Sequence, residues 1–365
     1  MIEYAAYTVL AFTTLQWIVA FVNWLFRERL PKRSNYTGGK KISVLIPARD
    51  EENNMANLLT DLMNADDGRV EEILVFDDQS TDATAEIVAD CSRKDSRVRL
   101  IRSEGLTLGW FGKNNACHRL AIEATGDYLL FLDADVRVEA GMIDRLADYA
   151  ERCGAGLVSI FPTQEMHSWA ERITVPNMLM ILLSLLALPL VRFSGFASMA
   201  AANGQCMMFD SRIYRILLPH ERYKASRAED IEIARYLKRR GRRVCCLTGV
   251  GEIRCRMYDS LGGAVEGFAK NVTYFFGNSY LLATLYWLIT TLGIVPLLLL
   301  PDWQLVGWYL LMVGTTRLFV SFTARQSGLM NLLLWVPQQA MLGLFIVKSG
   351  INRMNNQFRW KGRTL

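Results

Sequence analysis

The feature that most constrains this chain is where its charges are missing. Residues 4–26 run 23 positions without a charged side chain, 271–301 run 31 and 326–347 run 22. About 20 consecutive apolar residues cross a bilayer core, so N-terminal and C-terminal transmembrane helices are expected around a water-facing middle. That middle is electrically balanced, with 34 Lys+Arg and 34 Asp+Glu in residues 27–270. The formal charge of +5 therefore comes from the C-terminal part, where seven Lys/Arg face a single acid, Asp302. Such a distribution speaks of orientation on a lipid bilayer and gives no footprint for a nucleic-acid partner. A hydrophobic share of 51% excludes intrinsic disorder, and seven cysteines without a CxxC pair read as reduced thiols.

Six basic residues follow the first apolar segment: Arg27, Arg29, Lys32, Arg33, Lys40 and Lys41. By the positive-inside tendency the next domain is cytosolic. The expected organisation is a transmembrane anchor over 1–27, a basic linker over 28–41 and a catalytic domain over 42–270. Membrane helices over 271–348 and a basic cytosolic tail over 349–365 complete it. Within the domain, 173–191 is charge-free and carries Pro176 and Pro189. It is expected to lie at the membrane interface or as a re-entrant hairpin. The expected protein is a multi-pass cell-membrane protein with its catalytic domain in the cytosol. Three apolar segments follow residue 270, yet a cytosolic domain and a cytosolic tail require an even number of crossings. One segment is therefore expected to be re-entrant or interfacial. The candidates are 303–323, which Arg317 interrupts, and the stretch around Pro337, Gln338 and Gln339.

Residues 42–160 alternate short β-rich runs with polar amphipathic stretches. The runs are 42–47, 72–77, 98–101, 127–133 and 156–161, and further strands are expected at 202–209 and 243–248 around a helix at 229–240. This alternation predicts an α/β fold, a mainly parallel sheet flanked by helices. Ligands of such sheets bind beyond the carboxyl ends of the strands, so the polar residues ending each run are the candidate site.

Asp133 and Asp135 close the run DYLLFLDAD. Two carboxylates one residue apart at the end of a buried strand stay ionised most easily beside a divalent cation, and Mg²⁺ or Mn²⁺ suits such oxygen ligands. Asp77 and Asp78 end another run, and a carboxylate there can accept a hydrogen bond from a nucleobase or ribose. Pro47, Ala48, Arg49 and Glu51 follow the first strand and suit the edge of a nucleotide pocket. Lys113 stands near a helix start, where it can neutralise a diphosphate. The surrounding GWFGKN is not a P-loop, because Thr107 and Asn114 stand where Gly and Ser/Thr are required. Glu229 and Asp230 open a helix; either suits the helix dipole, and a carboxylate there can serve as a general base.

Five motifs occur in order: LIPARDEEN, VFDDQSTDAT, GWFGKNNA, FLDAD and AEDIEIARYLKRRG. Together they resemble the family 2 glycosyltransferases, over about residues 42–270. The resemblance implies a GT-A nucleotide-diphospho-sugar transferase fold, a nucleotide-sugar donor, a divalent metal and inversion at the anomeric carbon. By position it implies that Pro47, Ala48 and Asp77 or Asp78 line the nucleoside. Lys113 would lie near the diphosphate, Asp133 and Asp135 would hold the nucleotide and the metal, and Asp230, beside Glu229, would be the base. The anchor, the GWFGK loop, NGQCMMF (203–209) and the tail RWKGR (359–363) resemble the lipid-directed members, including carotenoid-acid, hopanoid-associated and ceramide glucosyltransferases. The QxxRW motif of the processive synthases is absent at residues 265–271, which favours transfer of a single sugar. Gln205, Arg256 and Tyr258 are further candidates for acceptor or phosphate contact.

The expected activity is transfer of one hexose, glucose from a UDP-sugar, to a hydroxyl or carboxyl of a membrane lipid acceptor. Transfer to polyprenyl phosphate is a second enzymatic reading. A membrane scaffold that merely keeps the fold is a third, and intact carboxylates at 133, 135 and 230 argue against it.

Overall fold

The computed structural model describes residues 1–34, 39–65, 67–355, 359–360 and 363–364. Lys361 and Gly362 of the basic tail lie outside the described residues. Eight strands form one sheet: β1 (Ile42–Ala48), β2 (Val70–Asp77), β3 (Val98–Arg102), β4 (Tyr128–Leu132), β5 (Val136–Val138), β6 (Leu157–Gln164), β7 (Cys206–Asp210) and β8 (Val244–Cys255). Their order is β3-β2-β1-β4-β7-β6-β8-β5. The β1–β2, β2–β3, β1–β4 and β6–β8 ladders are parallel; β4–β7, β6–β7 and β5–β8 are antiparallel. The sheet is thus mixed, with β7 inside it and the short edge strand β5 running against the other six.

Successive side chains on a strand face opposite ways, and the sheet uses this to build two cores. Val44, Ile46, Ile73, Val75, Leu130 and Cys245 join one core with α2 (Glu52–Asn64) and α5 (Met142–Cys153). Leu45, Leu74, Phe76, Leu129, Phe131 and Cys246 join the other. The adjacent Cys245 and Cys246 therefore point to opposite faces, and all seven cysteines are free thiols. A third helix, α3 (Thr84–Lys94), packs by β3.

The second face is covered by α4 (Gly112–Glu123), by α11 (Glu229–Arg239) and by apolar α7 (Pro176–Leu185). Between them run α6 (Trp169–Thr174), α8 (Leu188–Phe193), α9 (Ser211–Leu217) and α10 (Pro219–Arg222). Pro176 and Pro189 each sit in a first helical turn, where a missing N–H costs nothing. They divide 173–191 among the end of α6, α7 and most of α8, with α7 and α8 joined at Leu186 and Ala187. Of these, α7 is almost wholly buried, while Leu190, Phe193 and Phe196 beyond it are exposed.

The remaining elements form the apolar bundle: α1 (Ile2–Leu25), α12 (Leu261–Asn271), a 3₁₀ turn (Val272–Phe276), α13 (Tyr280–Leu292), α14 (Ile294–Leu298), α15 (Trp303–Thr323), α16 (Gly328–Leu333) and α17 (Trp335–Met354). Among the described residues three helices are long and apolar enough to cross a membrane: Ile2–Leu25, Tyr280–Leu298 and Trp303–Thr323. Segment 303–323 is unbroken despite Arg317. The guanidinium is buried and bonds inward, with Nε donating to the Asn331 carbonyl at 2.8 Å and Nη2 donating to Gln338 Oε1. Gln338 passes the contact on to the Arg172 carbonyl at 2.9 Å. The 326–347 segment is the one that splits, into α16 and α17 at Leu334.

The bundle is joined to the sheet through polar side chains in otherwise apolar helices. Asn23 of α1 donates to the carbonyls of Leu183 and Leu186 (2.8 and 2.9 Å) and accepts from Leu188 N (2.7 Å). It thereby satisfies backbone groups left over where α7 ends. Arg27 donates to the Phe322 carbonyl at 2.9 Å, closing α1 onto the end of α15. Gly249 of β8 approaches the Thr323 carbonyl so closely that any Cβ would collide with it.

Candidate active site

The strand order sets β1, β2 and β4 side by side, pointing the same way. Ala48 pairs with Asp77, and Leu132 pairs with Cys206 of antiparallel β7. Residues 47–51, 77–78, 133–135 and 203–206 thus meet on one edge of the sheet. The β1 and β2 loops interlock. Asp78 N donates to the Ala48 carbonyl (2.8 Å), and Arg49 Nη1 donates to the Asp78 carbonyl (2.6 Å). Asp77 Oδ1 accepts from Ser80 N at 3.1 Å, and Asp50, at φ 51, accepts from Thr81 N at 2.8 Å. This fixes a rigid lip around Pro47, Ala48 and the buried Asp78.

Lys113, in the first turn of α4, reaches into the centre. Its Nζ lies 2.7 Å from Asp133 Oδ2, 3.5 Å from the Gly204 carbonyl and 3.8 Å from Glu229 Oε1. Burial would depress this lysine, but Asp133 and Glu229 outweigh it and hold its pKa above the ordinary value. Gly204 makes the convergence possible: a Cβ there would stand 3.0 Å from Lys113 Nζ and 3.4 Å from Glu229 Oε1.

Glu229 and Asp230 enter from the start of α11. Asp230 is held by two backbone donors, Gly204 N on Oδ2 (3.1 Å) and Ile231 N on Oδ1 (2.7 Å). Burial pushes the Asp230 carboxyl up, against the pull of those bonds and of Lys113. Glu229 rises to about 7, chiefly by burial and then through Asp230, against the pull of Lys113. These are strongly perturbed acids beside a fixed ammonium, a common sign of a functional site.

Asp135 faces the same space. Burial raises its pKa to about 7, with the nearby charges of Asp133 and Glu51 adding to it. Gln205 Nε2 approaches its Oδ2 at 3.5 Å and the Cys255 sulfur at 2.8 Å, while Oδ1 is buried without a hydrogen-bond partner. A divalent cation fits this carboxylate: the bare oxygen, the raised pKa and the acidic neighbours are all relieved by positive charge. Among the described residues no group of three or more His, Cys, Asp or Glu side chains is assembled that could hold a metal unaided. Asp133 already pairs with Lys113.

Arg256 stands apart from this edge. Its Nε donates to Glu171 Oε1 at 2.7 Å, and Glu171 closes the capping box of α6 with Ser168. Tyr258 packs edge-on against Phe268, lies across Gly267 and lines a second space that opens beside Asp230. That space is a cavity of about 340 Å³. Its walls are mostly apolar, from Leu179, Leu182 and Leu186 of the α7 region to Phe268, Tyr274 and Phe275 after β8. Sequence reading picked out neither Gly204 nor Arg235, which also lines the cavity; a lone glycine and a helix arginine carry no signal until the chain folds.

The glycosyl transferase family 2 model matches residues 43–216. A 4,4'-diaponeurosporenoate glycosyltransferase of Staphylococcus haemolyticus is 28% identical over 242 residues, which is 64% of this chain and 61% of that protein. A beta-monoglucosyldiacylglycerol synthase of Nostoc is 25% identical over 162 residues, 44% of this chain and 34% of that one. The structure of a mannosyltransferase from Pyrobaculum calidifontis in complex with GDP-Man and Mn²⁺ superposes with a TM-score of 0.59 at 16% identity. It covers 97% of this chain and 100% of that one, a likeness of fold. Residues 43–216 thus match the glycosyl transferase family 2 domain, on a fold like that of the GT-A mannosyltransferase.

Proposed function

We propose that the chain transfers a single hexose, glucose from a UDP-sugar, to a membrane lipid acceptor at the cytosolic face, with inversion. The observation that carries this reading is the apolar cavity with Asp230 on its wall. It runs from the catalytic edge to helices that pack on the transmembrane bundle, so a lipid head can reach the base while its chain stays in apolar surroundings.

The donor's nucleoside would lie on the lip formed by Pro47, Ala48, Arg49, Asp77 and Asp78, and its diphosphate near Lys113 and Asp133. Asp135 would hold Mg²⁺ or Mn²⁺ with Glu51 close by. The bound cation would supply charge neutralisation for the departing diphosphate. Asp230 would take the proton of the attacking hydroxyl as its oxygen bonds to the anomeric carbon on the face opposite the leaving group. Its two backbone donors hold it in one orientation for that task. Gln205 steadies Asp135.

Orientation follows from the charges. Basic residues after α1 favour a cytosolic domain. Two further qualifying helices after residue 270 would return the chain to the same side.

Purified full-length protein with labelled UDP-glucose and an extracted lipid mixture is expected to give a labelled lipid of one added hexose by mass spectrometry. Release of free glucose alone, with no lipid product from any lipid fraction, would count against a lipid acceptor. Gly204→Val is expected to weaken UDP binding by about tenfold while leaving the circular dichroism spectrum intact, because its side chain displaces the Lys113 ammonium. Isothermal calorimetry reads this directly.

A further inference from the structure

Among the described residues that line the cavity, two are charged: Asp230 and Arg235. Asp230 opens α11, and Ile231 and Arg235 follow one turn apart on the face that walls the cavity. Arg235 lies about 7.5 Å further along the helix axis than Asp230, at 1.5 Å per residue. The next cation on this face is Lys238, and it is already consumed. Its ammonium donates to the carbonyls of Val191 (2.9 Å), Met199 (2.5 Å) and Leu190 (3.4 Å). Those bonds fix the 190–199 loop, whose end supplies Ser198, Met199 and Ala200 to the far wall. Arg235 is half-buried and makes no hydrogen bond or ion pair with any described residue.

Arg235 is thus a partly exposed cation on an otherwise apolar wall, with no carboxylate of the chain spent on it, and an anion entering the cavity can pair with it through two parallel N–H donors. We infer that Arg235 is a specificity-determining residue that binds an anionic group of the acceptor, a group separate from the hydroxyl that receives the sugar. This rests on the transferase reading above and names its substrate class: an anionic lipid with a free hydroxyl. The charge pattern separates the two groups. An anion placed at Asp230 would be repelled by that carboxylate and by Glu229, whereas a hydroxyl there is deprotonated. In the step itself, the acceptor oxygen bonds to the anomeric carbon and its proton passes to Asp230. The bond from that carbon to the diphosphate breaks, and the nucleoside diphosphate leaves with the electron pair. The anion at Arg235 takes no part beyond holding the acceptor in register.

The test uses the full chain in phosphatidylcholine nanodiscs, which hold the bilayer charge constant, with 12-hydroxystearate and its methyl ester as probes. Binding is read from the midpoint of the thermal-stability shift in a titration with each probe. Wild type is expected to bind the acid about tenfold more tightly than the ester. Arg235→Gln is expected to reduce that ratio to less than about twofold, and Arg235→Lys to restore most of it. Equal binding of acid and ester by wild type, or an unchanged ratio in Arg235→Gln, overturns the inference. Equal binding is also the result expected if Arg235 merely meets phosphates of the bilayer. These binding measurements need no turnover, so they decide the inference separately from catalysis. Nucleotide release from UDP-glucose or GDP-mannose is measured in parallel, and its absence with every donor overturns the transferase reading. If sugar is transferred to the acid and the product is an alkali-labile ester, the carboxylate is the nucleophile and the separation of the two groups is wrong.

Discussion

Asp230→Asn is expected to lower sugar transfer at least about 100-fold, with the donor still bound. General-base assistance contributes roughly 10²–10⁴-fold where a side chain removes a proton in the transition state, and an amide cannot take that proton. The neighbouring acid provides the control. Glu229 sits 3.8 Å from Lys113 and shares the ammonium with Asp133. Glu229→Gln removes one of the two carboxylates that compete for the ammonium and is expected to change transfer by less than about tenfold, mainly through donor affinity. Kinetics with labelled donor separate the two, because the first change acts on kcat and the second on KM. The opposite ranking would move the base to Glu229. A small loss for Asp230→Asn would mean an acceptor that arrives already ionised, since such an acceptor needs no base.

Asp135→Asn is expected to abolish Mn²⁺ binding and to reduce transfer by at least about 100-fold. Electron paramagnetic resonance of Mn²⁺ titrated into the protein measures the first effect without any turnover. The pH dependence follows from the raised pKa of Asp135, near 7 without a cation. Below that value a proton occupies the carboxyl, and a metal must displace it. Affinity for Mn²⁺ is therefore expected to fall about tenfold per pH unit below 7 and to level off above it, if a single proton is released. A carboxylate at an ordinary pKa would show a flat affinity over that range.

Much of this was legible beforehand because strand ends in a parallel sheet must converge. Ile42–Ala48, Val70–Asp77 and Tyr128–Leu132 each announce themselves by β-rich runs, and the acids beyond them share an edge. β5 did not, because Val136–Val138 is only three residues long and pairs antiparallel with the far end of β8. The apolar helices were harder. Arg317 looks disruptive in a linear reading, yet partners 14 and 21 residues away satisfy it. The 326–347 run looks continuous, yet it bends at Leu334 into two helices. Composition reports how apolar a segment is and says nothing of which backbone groups its neighbours can satisfy.

Asn23 carries a practical consequence. Deleting the first hydrophobic segment is the simplest truncation this chain invites. Here that deletion removes the amide that closes α7, and with it three hydrogen bonds at Leu183, Leu186 and Leu188. It also removes Arg27 or leaves it without its helix, freeing the end of α15. The first segment is less a tether than a wall stud: a shortened form keeps two long apolar helices, Tyr280–Leu298 and Trp303–Thr323, and loses part of the shape that receives the acceptor.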